Sequence, residues 1–297
     1  MKISTDNSVI RFAFGDEKTI DLLSDAGFDG IDYSLFGMRP ENDLFAGSDD
    51  DRRSRALRLR ERLEKAGLSV PQAHAEFSFK YGCEISLECE NYDRVIKGME
   101  FASLLGCPQI VIHTVKTPRN TEGVDDVAYN REYMLSFLPY AEKFGIDIGV
   151  ENLFTKDKKI DRYMGIRSTP AEMNAFVDSL GSARYKVCCD IGHAAITGVD
   201  PAYFIKGMSA ERLTMLHVQD TDFKGDRHWL PYMGSHEWDT ITSALAAIGY
   251  DGTMNLEVLH FYDKFPPDMA PTVLSLAAQV ARRLADEVEA KKAELGK

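Results

Sequence analysis

The chain has 297 residues, 44% hydrophobic and 28% charged, with 47 acidic against 35 basic side chains and a formal net charge of −12. Such proportions describe a globular protein with ample material for a large core. They oppose a broad nucleic-acid surface, which needs clustered Lys and Arg to meet phosphates.

No run approaches ~18 consecutive apolar residues, so no membrane-spanning helix is expected. Residues 1–15 lack an apolar stretch behind a basic start, and no export signal is read there. The five cysteines (Cys83, Cys89, Cys107, Cys188 and Cys189) have neither CxxC nor paired spacing. A cytoplasmic protein with reduced thiols is the expectation.

No linker or low-complexity stretch divides the chain, so one domain over 1–297 is expected. A phrase recurs instead: an amphipathic helix, a Gly, then a β-rich run. It starts at Gly27, Gly67, Gly106, Gly145 and Gly249. Gly just past a helix accepts the left-handed conformation that closes it and drops the chain into a strand. In chain order, strands are predicted near 2–5, 30–35, 69–75, 108–114, 147–153, 185–191, 213–219 and 252–259. Helices are predicted between and after them, near 17–26, 51–66, 88–105, 127–144, 170–180, 201–207, 237–248 and 268–293. Strands alternating with helices imply βαβ units and a parallel sheet, and eight such units imply a (β/α)8 TIM barrel. An open doubly wound sheet is the alternative, but the first βα turn, residues 7–16, has no Gly-rich dinucleotide fingerprint.

Strands buried on both faces should read as apolar runs, yet these end in polar side chains. Strand three ends on His74, strand four on His113, strand five on Glu151 and strand six on Asp190 with His193 following. Strand seven ends on His217 and strand eight on Glu257. In a barrel those C-terminal ends share one mouth, where catalytic groups of this fold sit. A single histidine there is as readily a hydrogen-bonded rim residue. Carboxylates are rarely buried without a partner, and three converging ones repel unless a cation lies between them. Glu151, Asp190, His217 and Glu257 are therefore the candidate metal ligands. An oxygen-rich set with one imidazole suits Mn, Mg or Co, with Zn also accommodated. Cys188 and Cys189 precede Asp190 directly, but as neighbours on a strand they are read as small apolar residues, one in the strand packing and one toward the helices.

These strand ends, with Asp226-Arg-His228 and the run Gly249 to Glu257, resemble the sugar phosphate isomerase/epimerase superfamily of xylose isomerase-like TIM barrels, along essentially the whole chain. The resemblance to its ketose 3-epimerases implies one divalent metal, typically Mn, on Glu151, Asp190, His217 and Glu257. It implies Glu151 and Glu257 as the catalytic pair that removes and returns a proton through an enediolate. His74, His113, His193, Asp226 and His228 are then the substrate-binding set. Two positions depart from the epimerase pattern: Asp157 stands where a second Glu is found, and Phe223 where a substrate-binding Arg is found. The substrate's identity is therefore not carried over. The implied partner is a small carbohydrate, with neither nucleic acid nor membrane, and homo-oligomerisation is left open.

Two alternatives share this site. Apurinic-site endonucleases of the same superfamily use three zinc ions, and all nine of their ligand positions are matched by His74, His113, Glu151, Asp190, His193, His217, Asp226, His228 and Glu257. Dehydratases or lyases of keto-sugars and keto-inositols would use the same metal with His113 or His193 as the acid. Among the loops, Lys116, Arg119, Lys156, Lys158, Lys159 and Arg162 are interspersed with Glu122, Asp125, Asp126, Asp157 and Asp161. They read as solvated mixed-charge loops more than as a phosphate clamp. Phe12, Phe14, Phe36, Trp229, Tyr232 and Trp238 are candidates for shaping the mouth. Asp49-Asp-Asp51 reads as the acidic start of a helix.

Overall fold

The computed structural model describes residues 1–36, 43–78, 80–117 and 123–297. It begins with β1 (Ile3–Asp6), α1 (Ser8–Ala26), β2 (Gly30–Ser34), α2 (Asp49–Lys65), β3 (Ser69–His74), α3 (Glu90–Leu104) and β4 (Gln109–Val111). It continues with α4 (Asp126–Ser136), α5 (Leu138–Phe144), β5 (Asp147–Glu151), β6 (Leu153–Asp157), β7 (Arg162–Ile166), α6 (Pro170–Leu180) and β8 (Tyr185–Asp190). The remainder is α7 (Ile191–Ile196), α8 (Pro201–Lys206), β9 (Leu213–His217), α9 (Trp238–Ile248), β10 (Met254–Leu256), α10 (Leu259–Tyr262) and α11 (Ala270–Glu294).

Eight parallel strands pair in the order β10-β1-β2-β3-β4-β5-β8-β9. The last seam is thin: Val218 pairs with Leu256 in a single parallel bridge. Val218 N–H donates to Asn255 O at 2.9 Å and Glu257 N–H to Val218 O at 3.0 Å. The ring is a (β/α)8 barrel, a single domain. Its interior is filled, since Val111, Cys188 and Met215 form a small buried cluster inside it. The larger apolar core, including Cys189, lies between the strands and the helices. The two adjacent cysteines thus face opposite layers, as alternation along a strand requires.

Helix termini follow from local chemistry. Ser48 and Asp51 form a capping box that opens α2, with Asp49, Asp50 and Asp51 in its first turn, and Thr169 and Glu172 do the same for α6. Gly27, Gly145 and Gly249 close α1, α5 and α9 with φ of 94°, 66° and 72°, each leading into a strand.

Several predicted elements are corrected, and the strands expected over 108–114, 213–219 and 252–259 are shorter, at Gln109–Val111, Leu213–His217 and Met254–Leu256. The first helix starts at Ser8 instead of near 17 and carries Gly15 at φ 76° as a break within it. The helix expected over 127–144 divides at Phe137, where Pro139 near the start of α5 cannot supply an N–H to continue the ladder. A turn of helix, α7, follows β8 immediately because the Asp190 side chain accepts from His193 N–H and nucleates it. The strand expected over 147–153 stops at Glu151, and an antiparallel hairpin, β6–β7, stands above the barrel in place of an irregular loop.

At Gly30, paired with Ser69, a Cβ would lie 2.8 Å from Ser69 O and 2.9 Å from Pro71 Cδ, both rigid neighbours. Gly30→Ala should therefore lower the unfolding free energy by about 1–3 kcal/mol, read from the urea midpoint at constant slope. A midpoint equal to the parent's would show that β2 and β3 separate without cost.

Candidate metal centre at the barrel mouth

Strand ends bring the predicted residues together. His74, Glu151, Asp190 and His217 are the last residues of β3, β5, β8 and β9, and Glu257 directly follows β10. His113 lies two residues past β4, His193 on α7, and Asp226 and His228 on the β9–α9 loop. Glu151, Asp190 and His217 are at most 1% exposed, and His74, His193, His228 and Glu257 are also buried.

Glu151 is the centre of the arrangement. Its Oε2 lies 2.7 Å from His113 Nε2 and 3.8 Å from His74 Nε2, and its Oε1 lies 3.1 Å from His193 Nδ1 and 3.3 Å from His217 Nδ1. Glu257 Oε2 is 3.5 Å from His217 Nδ1 and 3.5 Å from His228 Nδ1. Asp226 Oδ2 closes the far side at 3.1 Å from His228 Nε2 and 3.6 Å from His193 Nε2. Donor atoms of Asp190, His217 and Glu257 fall within 4.8 Å of one another, as do those of Glu151, Asp190 and His193, and those of His74, His113 and Glu151.

The donor set fits a divalent cation: carboxylate oxygens and imidazole nitrogens converge. Glu257 Oε2, though buried, has no hydrogen-bond partner, which is the condition of a ligand atom more than of a structural one.

The charges alternate. Burial opposes ionisation of Glu151, but the surrounding His217 and His113 outweigh it and hold that carboxyl well below its usual range. Burial also dominates at Glu257, reinforced by Asp190 and Glu151 against the pull of His217 and His228, and pushes it up to about 8. Burial lowers His113 to about 4 despite Glu151 beside it. At His228, burial is overcome by Glu257 and Asp226, and the imidazole is raised to about 10. Two carboxylates a single imidazole apart are thus driven in opposite directions.

Amide side chains not singled out in the sequence organise this cluster. Gln219 Nε2 donates to Asp190 Oδ2 and to Asp226 Oδ1, both at 3.0 Å, while its Oε1 accepts from His228 N–H at 2.8 Å. It ties the strand ligand to the loop residues. Gly192 makes room for it, since a Cβ there would meet Gln219 Cδ at 2.5 Å. Asn152 exchanges hydrogen bonds of 2.8 Å with the backbone of Asp190 in both directions. The only sequence signal for either is an amide side chain adjacent to, or two residues past, a strand-end ligand.

Above the cluster lies a cavity of about 480 Å3, with Phe36, Phe77, Tyr81, Leu153, Phe154 and Leu259 among its walls. Of the predicted mouth aromatics only Phe36 reaches it. Phe14 lines a separate apolar cleft, and Trp238 is buried with Nε1 donating to Asp220 Oδ2 at 3.0 Å. Phe77 and Tyr81 were missed because loop residues carry no periodicity to aim them, and Phe154 because it stands on β6, in a stretch read as loop. Lys116 also borders the cavity, over the Phe154 ring. Lys156 pairs with Asp161 at 2.8 Å on the hairpin, consistent with a mixed-charge loop. Arg119 and Glu122 lie outside the described residues. The two departures from the epimerase pattern stay off the cavity wall: Asp157 accepts from Lys159 N–H, and Phe223 is exposed at φ 62°.

The fold and the ring of strand-end ligands define a (β/α)8 barrel with a candidate metal centre in its mouth. The chain belongs to the xylose isomerase-like TIM barrel family, whose profile it matches over residues 20–280. A curated relative, the uncharacterized protein y4fM of Sinorhizobium fredii, is 26% identical over 164 residues, 54% of this chain, and the match spans 50% of that protein's length. The structure is similar to that of an L-ribulose 3-epimerase, with a TM-score of 0.71 and 18% identity, covering 100% of this chain and 98% of that one. It is also similar to the IOLI protein solved with a bound zinc atom, with a TM-score of 0.68 and 17% identity, covering 97% of this chain and 98% of that one. At such identities the likeness is one of fold. No helix among the described residues is long and apolar enough to cross a membrane.

The charge pattern sets a pH dependence for the metal-free protein. The carboxyl of Glu257, raised to about 8, and the imidazole of His228, raised to about 10, hold protons that the unfolded chain has released above about 4.5 and 6.5. Their stabilisation is complete below those unfolded values and is lost as pH rises through the folded ones. His113, lowered to about 4, is neutral in both states above pH ~6.5 and adds no opposing slope there. In excess chelator, Tm should fall between about pH 7 and 8. Saturating Mn or Zn, which binds deprotonated ligands, should flatten or reverse that fall. A chelated protein whose Tm rises over this interval would contradict the arrangement.

Proposed function

We propose that the protein is a divalent-metal-dependent isomerase or epimerase of a small sugar or polyol derivative, working through an enediolate. The observation that carries this is the placement of Glu151 and Glu257 near one imidazole nitrogen, His217 Nδ1, at 3.3 and 3.5 Å, with both carboxyls lining a cavity of about 480 Å3. Glu151, Asp190, His217 and Glu257 would hold the cation, with Mn or Mg favoured and Co or Zn accommodated by the same donors. Bound there, it supplies a Lewis acid that polarises a substrate carbonyl.

The remaining work falls to the chain. The two carboxyls, Glu151 at the end of β5 and Glu257 just past β10, are the pair that would take a proton from the carbon beside that carbonyl and return one to it. His113 fixes Glu151 through Oε2, leaving Oε1 within reach of His193 Nδ1 at 3.1 Å and His217 Nδ1 at 3.3 Å. His74, His113, His193, Asp226 and His228 line the floor and present donors and acceptors suited to sugar hydroxyls, while the aromatic walls cover apolar ring faces. The shared fold with an L-ribulose 3-epimerase supports the reading. The zinc in the IOLI structure supports a centre of this kind that accepts a metal.

A second reading is favoured by one observation: the nine polar residues resolve into overlapping donor groups that share Glu151 and Asp190, with His193, Asp226 and His228 forming a further set. Three zinc ions there would suit phosphodiester cleavage, as in the apurinic-site endonucleases. The net charge of −12 weighs against DNA as its substrate.

Metal content of protein purified without chelator separates the two. About one divalent ion per chain is expected, and three zinc per chain would replace the isomerase reading. The metal-loaded protein incubated in D2O with a panel of ketoses and keto-polyols should introduce deuterium beside the carbonyl. Glu257→Gln should slow that exchange by about 10²–10⁴-fold. Absence of exchange across the panel sinks the proposal.

A further inference from the structure

Beneath the candidate ligands, two buried polar atoms lack a hydrogen-bond partner: His217 Nε2 and Asp32 Oδ1. The two residues face each other. His217 Nε2 is 3.6 Å from Asp32 Oδ2, with side-chain exposures of 0% and 1%.

Asp32 is held in place from both flanks of β2. Gln72 Nε2 and Asn255 Nδ2 each donate to its Oδ2 at 2.8 Å, and each also donates to Leu216 O at 3.2 Å. Ser4 Oγ in turn donates to Asn255 Oδ1 at 2.7 Å. Leu216 precedes His217, so the same two amides bind the carboxylate to the backbone that carries the imidazole.

A carboxylate buried for structural reasons alone is saturated. Asp220 is such a group: Oδ1 accepts from Thr221 and His236 N–H, and Oδ2 from Tyr232 N–H and Trp238 Nε1. Asp32 differs in keeping one oxygen, Oδ1, unpaired while its carboxylate sits against an imidazole edge, His217 Nε2, that also lacks a partner. A metal-ligating histidine usually donates its second ring N–H to a carboxylate, which fixes its tautomer and aim.

We infer that Asp32 is a positioning residue of the centre. It accepts the Nε2 proton of His217, so that the Nδ1 lone pair points to the space shared with Glu151, Asp190 and Glu257. The inference rests on the reading of His217 as a metal ligand. The Cys188 thiol is buried in the barrel interior, but a thiol sulfur is a weak hydrogen-bond acceptor and does not take the carboxylate's part.

Zinc affinity measured by chelator competition tests this without recourse to turnover. Asp32→Asn should bind zinc about 10–100-fold more weakly than the parent, with its chelated Tm and far-UV dichroism retained. Asp32→Glu should recover most of the loss, and Cys188→Ala should bind within about twofold of the parent, since no role is assigned to the thiol.

Parent protein that takes up no stoichiometric zinc overturns the proposed function and this inference together. Zinc binding by the parent with an equal affinity in Asp32→Asn overturns this inference alone, as does a Cys188→Ala loss matching that of Asp32→Asn. Should Asp32→Asn not fold, 15N spectra of the zinc-loaded parent decide. A His217 proton on Nε2, protected from solvent exchange, supports the pairing, and a proton on Nδ1 or a freely exchanging one overturns it.

Discussion

The structure depends on how a closed barrel accommodates many ionisable groups at a single buried end. Unpaired burial of a charge costs several kcal/mol, and here carboxylates and imidazoles are interleaved so that every carboxylate meets a histidine or an amide. Glu151 is the pivot, touching His113, His193 and His217 through its two oxygens. The arrangement is unevenly satisfied, however. Glu257 Oε2, His217 Nε2 and Asp32 Oδ1 have no hydrogen-bond partner. A merely structural polar network would tend to close such vacancies, since each costs desolvation with no return. Their concentration around His217 is what distinguishes this mouth from a rigid polar plug.

Rigidity comes from the amides beneath and beside the cluster. Asn152 locks β5 to β8, and Gln72 and Asn255 lock β3 and β10 to β9 through Leu216 O. These hydrogen bonds are additional to the strand ladders, that of Gln72 crossing the barrel interior, and they matter most where the ladder is thinnest. The β9–β10 seam has one bridge, yet it carries His217 and Glu257 on its two sides. The Asn255 contact with Leu216 therefore holds ligand spacing where backbone pairing alone would leave it loose.

The barrel and the convergence of polar side chains at its mouth were legible in the sequence because both follow from periodicity. Buried strands must be apolar, so His74, His113, Glu151, Asp190, His217 and Glu257 at their ends stand out as violations of the pattern, and the barrel aims violations at one place. Asp32 lies in an equally apolar setting, but in mid-strand, flanked by Ile31 and Tyr33, where nothing in the one-dimensional pattern marks it as facing the interior. Gln219 and Asn152 escaped for a related reason: amides fit strand ends, loops and surfaces alike. The hairpin β6–β7 was hidden by its composition. Its turn, Lys158 to Asp161, is charged and exposed, and reads as loop because only backbone pairing, with few core contacts, makes it a hairpin.

Two layers of the mouth differ in how tightly they are constrained. The lower layer is bound by close packing and buried hydrogen bonds, and tolerates little change without repacking its neighbours. The upper layer, with Phe77, Tyr81, Phe154 and the hairpin, meets the cavity on one side and solvent on the other, so few interior contacts constrain it. Both departures from the epimerase pattern, Asp157 on the hairpin and Phe223 in the β9–α9 loop, fall in this upper layer, and neither disturbs the ligand geometry below. A polar floor held by buried hydrogen bonds beneath a less constrained roof separates the electrostatic problem of the mouth from the shape of the cavity above it. For that reason the roof residues, more than the buried polar floor, set the shape of the cavity.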